Sequence, residues 1–164
     1  MINTERLFIK QLSEEDTRFI LELLNTEGWI KYIGNRNVNS ENDAVAYIQK
    51  INQNTDITYW TVSLNQTKKS IGLVTLIKRD YLEYNDIGFA FLPDFSGKGY
   101  AYEAVNAVLR NLEEYNSLEN ILAITLPKNT TSIKLLEKLG FKFDRIIKQN
   151  NENLYLYSAS KICV

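Results

Sequence analysis

The chain has 164 residues, a net charge of -1, 45% hydrophobic residues and two prolines. That length predicts one domain over residues 1–164, able to bury about 70% of the surface its unfolded chain exposes. The composition excludes a disordered chain and a strongly basic nucleic-acid coat, and no apolar run approaches the roughly 20 residues of a membrane span. Neither a nucleic acid nor a membrane is expected as a partner, and the expected state is a monomer or homodimer. The opening MINTERLFIKQL carries early charges and no signal-peptide core, which predicts a cytoplasmic protein.

In chain order, Glu5 to Gln11 alternates around Leu7 and Ile9 and reads as a strand. Ser13 to Asp16 resembles a capping box opening a helix whose apolar face is Phe19, Ile20, Leu23 and Leu24. Gly28 to Gly34 is a shorter helical or irregular piece. Ser40 to Asp43 caps another helix, with Ala44, Tyr47, Ile48 and Ile51 on one face. Three strands follow, Tyr59 to Leu64, Ser70 to Arg79 and Glu83 to Leu92, as an antiparallel meander. A helix runs from Tyr100 to Tyr115, a strand from Asn120 to Leu126, and a helix from Asn129 to Leu139, which Gly140 stops. Phe141 to Gln149 and Asn153 to Ser160 form a closing hairpin. The predicted class is α/β (α+β).

The chain has no histidine and a single cysteine, Cys163. A Ser–His–Asp triad and a Cys–His pair are excluded, and no metal is expected. Cys163 reads as a tail residue without chemistry.

The segment DFSGKGYAYEAV, Asp94 to Val105, carries most information. Gly97 and Gly99 stand between an apolar strand and a helix, where backbone N–H groups can meet an anion. A purely structural glycine turn is the alternative. No Gly-Lys-Ser/Thr follows, and the spacing is not a dinucleotide fingerprint. About thirty residues later, Asn129-Thr130-Thr131-Ser132 opens a helix ending in Lys138-Leu139-Gly140-Phe141.

Together with Thr4-Glu5-Arg6-Leu7 and Asp86-Ile87-Gly88-Phe89, these motifs resemble the acetyl-CoA-dependent N-acetyltransferase superfamily (GNAT), in its ribosomal-protein N-terminal acetyltransferase branch. The resemblance covers nearly the whole chain. It implies a GNAT fold, a mixed, mostly antiparallel twisted sheet of about six to seven strands with about four helices. It also implies acetyl-CoA as acetyl donor and an amine acceptor, a protein N-terminus or a small molecule.

By the same resemblance, backbone groups from Gly97, Lys98, Gly99, Tyr100 and Ala101 would hold the CoA pyrophosphate. Phe91 and Leu92 would pair with the pantetheine arm, and Asn129 would touch it. The family's loop often begins with Gln or Arg, where this chain has Asp94. Its late-helix tyrosine, the general acid for the CoA thiolate, is Leu136 here. Ser132, one turn earlier, is the natural substitute. With no histidine, the base candidates are Asp86, Glu83 or a water held by either; a solvated charge is the alternative for Asp86. Trp29, Tyr32 and Trp60 would line the acceptor groove or serve as core. The competing function is a CoA-binding module that has lost catalysis.

Overall fold

The computed structural model describes residues 1–116 and 119–160; Cys163 lies outside them. Its centre is an eight-stranded sheet in the order β1-β2-β3-β4-β5-β6-β8-β7. The strands are β1 Ile2–Asn3, β2 Leu7–Gln11, β3 Ile57–Leu64, β4 Ser70–Ile77, β5 Asp86–Phe91, β6 Asn120–Thr125, β7 Lys142–Gln149 and β8 Glu152–Ser160. The helices are α1 Thr17–Leu24, α2 Glu27–Tyr32, α3 Glu41–Gln53, α4 Tyr100–Asn116 and α5 Thr130–Lys138. Fold class and strand sequence are those expected, with the two-residue β1 as an added strand. The piece over Gly28 to Gly34, expected as helical or irregular, is the helix α2.

Local chemistry sets the boundaries. Thr26 and Ser40 accept from the N–H groups of Trp29 and Asp43 and so start α2 and α3. Asn129 Oδ1 accepts from the Ser132 N–H at 3.2 Å and starts α5. Gly140, at φ +91°, ends that helix. Asn150 and Asn151, at φ +50° and +63°, turn β7 into β8.

Strand alternation buries both faces of the sheet. Leu7, Ile9, Val62, Val74, Ile87, Ile121 and Tyr157 face α4 and α5. Tyr59, Leu73 and Leu92 face the other way, into a core of Leu23, Trp29, Ile48 and their neighbours from α1–α3. All neighbouring strands are antiparallel except β5 and β6, which α4 joins as a parallel pair.

Candidate active site

The parallel pair meets at a single register, Asp86 opposite Leu122, where the Leu122 N–H donates to Asn85 O at 2.9 Å. Beyond it β5 stays on β4 and leaves β6, so the sheet opens at its middle. The Leu92 N–H donates to Ile71 O at 2.9 Å. The antiparallel alternation that follows from that bond pairs Asp86, Gly88 and Ala90 with β4. It turns the backbone of Phe89 and Phe91 toward the gap. Phe91 is thus placed to receive an amide-bearing arm as an added strand would be received. The Leu92 N–H is spent on β4.

The gap leads to the glycine loop. After a 3₁₀ turn over Pro93–Phe95, Gly97 and Gly99 take φ +72° and +81°, and Tyr100 starts α4. These left-handed conformations are costly for any residue with a Cβ. A Cβ at Gly97 would meet nothing within 4 Å, so that side of the loop is open. Asp94, Lys98 and both glycines are exposed, at the positive end of a 17-residue helix. Tyr100 and Ala101 form its first turn. The Lys98 ammonium lies over the Phe95 ring at 5.7 Å, and Lys69 lies over the same ring at 5.2 Å.

On the far side of the gap, α5 brings Asn129 and Ser132 to the end of β6. The Asn129 side chain is the N-cap, as its position predicts. Ser132 is half-buried, and its hydroxyl has no partner among the described residues. Leu136, at the position of the tyrosine that the family resemblance implies, is 1% exposed and belongs to the α4–α5 core.

Asp86 is 3% exposed, so the solvated reading does not hold. Its Oδ2 accepts from Arg79 Nε at 2.8 Å, while Oδ1 is buried without a partner. Burial pushes its pKa above the usual carboxylate value; Arg79 pulls it down, but less. Arg79 escaped the sequence reading, although hairpin register points to it: Ile77 faces Asp86, and Arg79 lies two residues on, with the same parity. On the same strand, Gly88 leaves no space beside Asp86, since a Cβ there would stand 2.7 Å from Thr75 Oγ1. Glu83 is not in the strand; it lies exposed in the bend before β5.

The three predicted acceptor aromatics do not converge. Trp29, 4% exposed, is in the α1–α3 core, with its indole N–H unpartnered. Tyr32 is half-buried on the same side, under the Lys31 ammonium at 5.0 Å. Trp60 packs on the opposite face, against the α4–α5 core. Its neighbour Tyr59 is the aromatic that faces the α1–α3 side, and burial raises its pKa.

Residues 6–142 match the family described as "Acetyltransferase (GNAT) domain". The chain belongs to the GNAT acetyltransferase family. An uncharacterized N-acetyltransferase of Bacillus subtilis (strain 168), YnaD, is 30% identical over 92% of this chain and 90% of its own. A GNAT-family acetyltransferase from Bacillus anthracis superposes with a TM-score of 0.82 at 27% identity, covering 97% of each chain. The spermidine N-acetyltransferase of Vibrio cholerae, solved with CoA and spermine, superposes with a TM-score of 0.80 at 22% identity, covering 96% and 97%. This GNAT acetyltransferase shows no cluster of three or more potential metal ligands among its described residues, and no helix there is long and apolar enough to cross a membrane.

Proposed function

We propose that the protein transfers an acetyl group from acetyl-CoA to a primary amine by direct attack. The observation that carries this reading is the opening between β5 and β6, with the backbone of Phe89 and Phe91 facing it and the glycine loop at its mouth. An extended pantetheine arm fits the first, and a pyrophosphate fits the second. CoA contains both, in that order. The CoA-bound relative of the same fold supports the assignment.

The neutral amine attacks the thioester carbonyl carbon and forms the C–N bond. The tetrahedral intermediate collapses with cleavage of C–S, and the thiolate takes a proton. The amine nitrogen gives up its extra proton to a base. An α-amine, with a pKa of about 8, costs about 1.4 kcal/mol to neutralise at pH 7; a lysine ε-amine costs about 4.6. We assign the base to Asp86, whose free Oδ1 and raised pKa suit it to accept a proton directly or through water. Ser132 donates toward the thiolate. The two approach from opposite faces of the sheet, Asp86 from the α1–α3 side and Ser132 from α5. That arrangement suits an amine arriving on one side and a thiol leaving on the other.

A panel of N-terminal peptides, polyamines, aminoglycosides and amino acids, with thiol detection of released CoA, tests this reading. Amine-dependent release well above background hydrolysis is expected. Tight acetyl-CoA binding with no release across the panel would contradict it and favour a CoA-binding module.

A further inference from the structure

The segment Thr4-Glu5-Arg6, far in sequence from the glycine loop, is tied to it by a dense set of bonds. Arg6 Nη1 donates to Lys98 O at 3.0 Å, and Arg6 Nε donates to Glu103 Oε2 at 2.7 Å. Glu103 Oε1 accepts from the Thr4 hydroxyl at 2.6 Å and from the Arg6 N–H at 3.0 Å. The guanidinium carbon lies 4.4 Å from the Tyr100 ring centroid. Partial burial would raise the Glu103 pKa, but the bonds from Thr4 and Arg6 outweigh it and hold the pKa low.

The bond to Lys98 O has a directional consequence. In a trans peptide the C=O and the following N–H point in opposite directions. Holding the Lys98 carbonyl toward Arg6 therefore aims the Gly99 N–H away from Arg6. Flipping this peptide changes ψ at Lys98 and φ at Gly99, and glycine visits both signs of φ readily, so nothing in the loop itself forbids the flipped orientation. A flipped peptide would turn a carbonyl oxygen to the side where the N–H now points, and would repel an anion there. Glu103 brings a second hazard, a carboxylate one turn inside the helix end that faces the phosphates. Arg6 neutralises it.

We infer that Arg6, braced by Glu103 and Thr4, is a positioning residue for CoA: it fixes the Lys98–Gly99 peptide so that the loop presents N–H groups to the pyrophosphate. The inference rests on the reading of the loop as the CoA pyrophosphate site. The planar fork of arginine is essential, because one guanidinium serves a carboxylate and a carbonyl at once. Lysine at this position keeps the charge and loses one of the two bonds.

Calorimetric titration of the wild type, Arg6→Ala and Arg6→Lys with CoA, and with pantetheine at millimolar concentration, tests the inference. The wild type should bind CoA far more tightly than pantetheine. Arg6→Ala should weaken CoA binding about tenfold or more, the scale of a lost charge-assisted hydrogen bond with its partner left behind. Pantetheine affinity should not change. Arg6→Lys should fall between, and it covers the case in which the alanine variant does not fold. CoA affinity equal to wild type in either folded variant overturns the positioning role. An equal loss for CoA and pantetheine also overturns it, since that marks a general structural effect. A wild type that fails to prefer CoA to pantetheine overturns the loop assignment itself, and the inference with it.

Discussion

Gly99 and Gly97 differ in what a side chain would meet. A Cβ at Gly99 would stand 3.3 Å from Arg6 Nη2, and the residue's φ of +81° is strained for any β-branched residue. Gly99→Val is expected to abolish CoA binding in calorimetry while circular dichroism still shows a folded chain. Unchanged affinity would remove the pyrophosphate cradle. Leu136→Tyr introduces the tyrosine that the family resemblance implies, but at a site that is 1% exposed. Denaturant unfolding should show a loss of about 1–3 kcal/mol from overpacking, with no gain in turnover. A stable variant with faster turnover would show that position 136 reaches the thiolate. Burial holds the folded pKa of Asp86 above that of a free carboxylate, so ionising it costs the fold stability. Its favourable contribution is complete below the unfolded pKa and is lost as pH rises through the folded one. Wild type should therefore gain stability relative to Asp86→Asn as pH falls through that window. Asp86→Asn should also lower turnover and lose the rise of kcat/KM with pH on the acid side. A pH-independent stability difference would contradict the buried carboxylate, and an unaltered pH–rate profile would make Asp86 a bystander.

Among the elements, β4 and β5 define the donor side of the gap through one close approach. Gly72 has no side chain because the Phe91 ring lies where its Cβ would be. Gly72→Ala must displace that ring, at a cost of about 1–3 kcal/mol, and shift the backbone that faces the gap. Denaturant unfolding and CoA titration should both register it. The strands and helices were largely legible from period and caps, because Ser40, Asn129 and Gly140 act within a few residues of themselves. Contacts between distant segments were less so. Alternation shows that Tyr59 and Trp60 face opposite ways, but not which of the two faces α1–α3. The conjunction of Thr4 and Arg6 with Glu103 depends on β2 lying against α4, which no local period reveals. The glycine loop was readable because its backbone demands glycine; the buried state of Asp86 was not, since it needs Arg79 to arrive from the connection just past the end of β4.

For the whole molecule, two cores lie on opposite faces of one sheet, and the sheet opens between β5 and β6. A ligand lying along that opening would touch the N-terminal half through β5 and the glycine loop, and the C-terminal half through β6 and α5. It should therefore stabilise the native state as a unit: acetyl-CoA at a hundred times its Kd is expected to add about 2.7 kcal/mol and raise Tm. The most direct measurement is calorimetric titration of the intact protein with acetyl-CoA, beside ATP with magnesium as a second phosphorylated ligand. Saturable acetyl-CoA binding is expected, with Kd on the order of micromolar, and little or no ATP binding, since the loop lacks a Gly-Lys-Ser/Thr sequence. Tight ATP binding with no binding of acetyl-CoA would contradict it.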